Sequence, residues 1–77
     1  MDYQTIFNNL INGETYSDGF NGITVSPNGC YLRYSYFGSS ATRCTVENLE
    51  WIIETIFGLN AEQFASRFNK SNNIYHA

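Results

Sequence analysis

Basic residues are scarce in this chain: 4 Lys and Arg stand against 7 Asp and Glu, for a formal net charge of −3 and a pI near 4.8. Nucleic-acid binding through a generic basic surface is thereby disfavoured, because counterion release needs several cations against the phosphates. A protein partner with a basic surface is the better electrostatic match. Histidine is scarcer still. The one copy, His76, sits next to the last residue, so Cys–His nucleophilic chemistry lacks a neighbouring base and a third group to orient it. Cysteine occurs twice, as Cys30 and Cys44, and two thiols with one distant imidazole do not make a structural zinc site. No Gly-rich segment follows a strand and opens a helix, as a phosphate-binding loop requires. No apolar run is long enough to cross a bilayer, and the N-terminus lacks the charged and apolar regions of a signal peptide. The expectation is a soluble, cytoplasmic protein without metal, cofactor or membrane partner. In that setting the Asn69-Lys70-Ser71 sequon is a chance match.

What the chain has in quantity is aromatic material. Six Phe, six Tyr and one Trp make 17% of its 77 residues. A chain this short buries only about 60% of the surface its unfolded form exposes, and rings that each bury roughly 150–250 Å² reinforce so small a core. One domain, residues 1–77, accounts for the whole length.

The densest stretch is Cys30–Phe37, a β-favouring run between two turn signals, and it reads as a central strand. Pro27-Asn28-Gly29 before it predicts a type I′ hairpin, and Gly38-Ser39-Ser40 after it predicts a second reversal. Residues 22–46 are therefore expected to form a three-stranded antiparallel meander. The first turn sets Val25 opposite Leu32, Ile23 opposite Tyr34 and Thr24 opposite Arg33. Alternation then points Cys30, Leu32, Tyr34 and Tyr36 toward the helices and Tyr31, Arg33, Ser35 and Phe37 away. In the second hairpin a three-residue loop is preferred over a two-residue one, because it turns Thr42, Cys44 and Val46 inward and keeps Arg43 out. Pairing Phe37 with Ala41 places Cys44 opposite Tyr34, which separates the cysteines by more than about 7 Å and predicts two free, buried thiols.

Around the meander the periodicity is helical. Asp2 is a predicted N-cap for Tyr3, Ile6, Phe7, Leu10 and Ile11, with Gly13 as the stop. Residues 14–22 read equally as a short edge strand or a loop. Thr45 caps a helix over about 46–57 with the stripe Leu49, Ile52, Ile53, Ile56 and Phe57, ended by Gly58. Asn60 and Gln63 form a capping-box pattern ahead of Ala61, Phe64, Ala65 and Phe68. Residues 70–77 read as a frayed tail. The predicted fold is α+β, in the order α-β-β-β-α-α.

Two surfaces carry the functional expectations. Glu47, Glu50 and Glu54 share one sector of the second long helix with Trp51, away from its apolar stripe. A large amphipathic ring supplies anchoring area, and flanking acids complement a basic groove. The acids serve an interface better than catalysis, since a chain this short struggles to close a pocket around a perturbed carboxyl. The other surface is the outer sheet face, where Tyr31, Arg33, Phe37 and Arg43 offer rings and cations for stacking bases of a single strand.

In kind, the whole chain, short, acidic, rich in Tyr and Asn, with a meander and three short helices, resembles the small phage-encoded inhibitors of the anti-CRISPR type. That group shares no common sequence signature, so no residue is carried over from it. The resemblance implies a protein that occupies a nucleic-acid or partner site with acidic and aromatic residues. Glu47, Glu50, Glu54 and Trp51 suit that role. The leading expectation is thus a non-enzymatic, protein-binding inhibitor of a host nucleic-acid-handling complex. A small RNA- or single-strand-binding module is the alternative, and a homodimeric structural or assembly protein is a third.

Overall fold

The computed structural model describes residues 1–72. Helix α1 (Tyr3–Ile11) starts where the side chain of Asp2 accepts the backbone N–H of Thr5 at 2.8 Å, satisfying one of the donors a helix start leaves free. Its stripe buries Ile6 and Leu10 and leaves Ile11 exposed. Gly13 ends it with φ +96° and an N–H bonded to Leu10 O.

The segment the sequence left open is a strand. β1 (Glu14–Ser17) pairs antiparallel with β2 (Gly22–Val25) through Tyr16↔Ile23 and Ser17↔Gly22. Between them Asp18 Oδ1 accepts the backbone N–H groups of Phe20 and Asn21, which closes the turn. Gly22 is required by proximity, because a Cβ there would sit 2.2 Å from Tyr16 O.

β2 pairs with β3 (Tyr31–Ser35) in the expected register, Ile23↔Tyr34, Thr24↔Arg33 and Val25↔Leu32. The turn differs from the expected type I′, which needs positive φ at both central residues: only Gly29 has it. Pro27, with its locked φ, instead takes the second position of a turn closed by Gly29 N–H to Ser26 O at 2.9 Å. Asn28 Oδ1 accepts from the Ser26 hydroxyl and from Cys30 N–H, which draws Cys30 out of the strand. The expectation that Cys30 is buried is corrected accordingly; it is exposed.

The second reversal comes two residues earlier than expected. β3 and β4 (Ser39–Arg43) pair as Ser35↔Ser39 through Tyr31↔Arg43, so Tyr36-Phe37-Gly38 is the loop. Tyr36 leaves the strand and lays its ring 5.1 Å from that of Phe57. The preferred faces survive the shift: Thr42 and Cys44 are half-buried and Arg43 is exposed. The Phe37–Ala41 pairing does not survive.

The three-stranded meander is the main correction. β1 to β4 form four antiparallel strands of one sheet, and β5 (Asn69–Asn72) extends it along β1 in the order β4-β3-β2-β1-β5. Residues 70–72, expected to fray, thus lie in an edge strand, with Lys70 Nζ 3.6 Å from Glu14 Oε2. The rest of the expected tail, residues 73–77 with His76, lies outside the described residues. β5 escaped the sequence reading and β1 was left open by it because both are four residues long: β1 offers one core residue, Tyr16, and β5 is polar throughout, too little for a side-chain period.

Thr45 Oγ1 accepts Asn48 N–H at 3.1 Å and opens α2 (Val46–Trp51). The expected plain helix over 46–57 then changes pitch: Ile52–Ile56 is π-helical, and Phe57 N–H bonds to Ile52 O. The capping box at Asn60 and Gln63 is formed in both directions and starts α3 (Ala61–Arg67). All helices pack on the face of the sheet that carries Tyr16, Ile23 and Leu32. The Phe64 and Phe68 rings stack there at 4.6 Å, with Phe57 edge-on to both and Tyr16 5.5 Å from Phe64. Tyr16 satisfies its hydroxyl in this core by accepting from Asn9 Nδ2 at 3.0 Å.

Candidate protein-docking surface

Because Leu49, Ile52 and Ile53 turn α2 and its π-helical continuation toward the core, the residues between them face out. Glu47, Glu50 and Glu54 are exposed, and Trp51 keeps 48% of its surface accessible. A half-covered ring is held by its neighbours on one side and free on the other, which suits an anchor better than a fully floating side chain. Glu54 is positioned from another element: Tyr3 OH on α1 donates to its Oε2 at 2.7 Å. Partial burial, followed by that bond and by the charges of Glu54 and Glu50, pushes the Tyr3 phenol up to about 12, so it remains a donor throughout the neutral range.

The acidic surface is wider than the sequence suggested. A shallow depression beside Tyr3 and Glu54 is also lined by Asp2 from the start of α1 and Glu62 from α3. Asp2 and Glu62 were missed because each lies in a different segment and only packing juxtaposes them. With the three acids of the second long helix they make five of the seven in the chain. Arg33 and Arg43 lie on the opposite side, the outer face of the sheet, while Arg67 of α3 lines a hollow with Glu62 on the helical side.

Among the described residues no helix covers that outer face. Tyr31 and Arg43 are directly opposed on it, and Arg33 lies on the same face two residues along β3. Phe37 does not join them. It sits in the β3–β4 loop, on the far side of Ser35 from Tyr31, with φ +57° and its N–H bonded to Asn21 Oδ1. The structure therefore brings together three of the four residues proposed for base stacking. A hollow of about 320 Å³ nearby is lined by Thr15, Ser17, Thr24, Ser35 and Ser39 beside Arg33.

Family models, curated proteins and solved structures give no match to this chain. Its surface chemistry is therefore read from its own residues. Two of these the sequence did not single out as a pair: Phe20 and Phe37, 92% and 88% exposed, on turns joined by the Asn21–Phe37 hydrogen bond. The local signal was a bulky ring inside Asp18-Gly19-Phe20-Asn21, where only turn formers are needed. Among the described residues no group of three or more His, Cys, Asp or Glu is placed to hold a metal ion, and no helix is long and apolar enough to cross a membrane.

Proposed function

We propose that the protein is a non-enzymatic binding protein that docks its acidic, Trp51-bearing helix onto a basic protein surface. In this reading it acts as an inhibitor of the phage-encoded kind, covering the basic surface with which a host complex holds nucleic acid, in the cytoplasm of that host. The observation that carries the proposal is the half-exposed Trp51 ring between exposed Glu47, Glu50 and Glu54, with Glu54 held by Tyr3. The acids steer association and the ring supplies contact area at the centre of the patch.

The test is capture of a host nucleic-acid-handling complex on immobilised protein, followed by competition with that complex's own nucleic acid. Wild type should bind and be displaced by the nucleic acid, whereas Trp51→Ala should lose about 2 kcal/mol of affinity, roughly thirtyfold. Binding that survives both Trp51→Ala and Glu50→Lys would remove this helix from the interface. A second reading, a single-strand-binding module, draws support from the uncovered outer face with Tyr31 opposed to Arg43. It requires tight, salt-sensitive binding to an unstructured oligonucleotide that Arg33→Ala and Arg43→Ala weaken.

A further inference from the structure

The β3–β4 ladder runs from Ser35↔Ser39 to Tyr31↔Arg43, so the next pair along it is Cys30 with Cys44. Their backbones meet there, where Cys44 N–H donates to Cys30 O at 3.0 Å. The separation of more than 7 Å expected from the sequence is thereby corrected. Opposed residues that share a ladder hydrogen bond lie about 5.5 Å apart at Cα, within the range of about 4.4–6.8 Å that a disulfide spans. Strand alternation continued past the Leu32↔Thr42 pair sets the two positions on one face, and the Cys30 thiol, which donates to Asn28 O at 3.7 Å, has to rotate away from the turn to meet Cys44. Both thiols are free in this structure, Cys30 exposed and Cys44 half-buried against the core.

We propose that Cys30 and Cys44 are a modification site, a dithiol that exchanges with low-molecular-weight disulfides and closes into a cross-strand bond. The Cys30 thiolate attacks one sulfur of the small disulfide, whose S–S bond breaks; a mixed disulfide forms and one small thiolate leaves. The Cys44 thiolate then attacks the Cys30 sulfur and expels the second small thiolate. Two protein thiols are oxidised, one small disulfide is reduced to two thiols, and the protein's two protons pass to them. Exposure makes Cys30 the first attacker. Burial, and then the neighbouring Cys30, pushes the Cys44 thiol up and lowers its thiolate fraction, so the first attack falls to Cys30 and Cys44 reacts when the fold holds it against the mixed disulfide.

The bond is of the reversible kind. Cys30 N–H is bonded to Asn28 Oδ1 rather than to Cys44 O, so the pair keeps one of its two ladder bonds and has slack to approach. Cβ atoms of an opposed pair start about 5 Å apart, roughly 1 Å more than a relaxed disulfide wants, and strained or exposed disulfides are the reducible ones. Closure would tie the N-cap of α2, Thr45, to β3 through its neighbour Cys44. The proposal does not depend on the docking reading above.

Glutathione disulfide added to the reduced full-length chain tests it, once in native buffer and once in urea. The expected product is a monomer lighter by two hydrogens, with no retained glutathione and no titratable thiol after denaturation, restored by dithiothreitol. Closure should be favoured roughly a hundredfold more in buffer than in urea, because the fold has already brought the ends of the loop together. Cys44→Ser should stop at a glutathione adduct on Cys30. A persistent adduct on the wild-type chain, a disulfide-linked dimer, two remaining thiols, or equal closure in buffer and urea would each overturn the proposal; the comparison with urea needs no variant to fold.

Discussion

Tyr3 joins two helices through one hydrogen bond, and its ionisation is therefore linked to folding. Its phenol titrates near 10.0 in an unperturbed setting and at about 12 in the fold. A group whose pKa rises on folding contributes stability that is complete below its unfolded value and lost as pH climbs to the folded one. Wild type should thus lose stability between about pH 10 and about pH 12 through this residue, and Tyr3→Phe should lack that component. Melting temperatures of the two proteins across this window, taken as a difference, check it. Parallel curves would mean that Tyr3 is neither buried nor bonded to Glu54 in solution. Gly22 supplies a steric counterpart. Since a Cβ would stand 2.2 Å from Tyr16 O, backbone against backbone, Gly22→Ala must push β1 from β2. A loss of about 3 kcal/mol in denaturant titration is expected, at the upper end for overpacking.

At the scale of elements, the two turns at one end of the sheet are tied together. Asp18 closes the β1–β2 turn, Asn21 accepts from Phe37 across to the β3–β4 loop, and Phe37 occupies the left-handed region that bulky residues avoid. Such a conformation costs on the order of 1–3 kcal/mol, and its ring recovers little by burial since it is 88% exposed, with one edge contact to Tyr36. Phe37→Gly should therefore keep the fold and raise stability by about 1 kcal/mol, read as a higher denaturant midpoint at unchanged slope. A lower midpoint would show that the Tyr36 contact outweighs the strain. The π-helical stretch deserves the same reading at this scale: it is continuous with the helix that carries Trp51, and it places Glu54 where Tyr3 reaches it.

For the molecule as a whole, the helical layer carries five acids, with Arg67 beside Glu62, and the outer sheet face carries Arg33 and Arg43, a distribution that favours approach of a basic partner from the helical side. Trp51→Ala should cost no more than about 1 kcal/mol of stability, whereas Phe64→Ala, at the centre of the ring cluster, should cost about 3–5. Glu50→Lys should slow association with a basic partner, and the difference from wild type should shrink as salt is added. Unfolding on Trp51→Ala, with binding by the folded remainder unchanged, would place the ring in the core and end the docking reading.

Local chemistry settled a large part of this protein from the sequence alone. The caps at Asp2, Thr45 and Asn60, the helical stripes and the Ile23–Tyr34 register all follow from residues a few positions apart, where propensity and period act without help from the rest of the chain. The outward stance of Trp51 and its acids followed from the same helical period. Tertiary structure decided what depends on distant backbone. β1 is a strand because it finds β2 on one side and β5 on the other, β5 because it finds the edge of β1, and neither Glu14–Ser17 nor Asn69–Asn72 is long enough for a period to announce that pairing. The reversal at Tyr36-Phe37-Gly38, rather than at the more obvious Gly38-Ser39-Ser40, was decided by Phe57 receiving Tyr36 and by Asn21 holding Phe37. That choice moved Cys44 from Tyr34 to Cys30, and so it was packing, not local sequence, that placed the two thiols side by side.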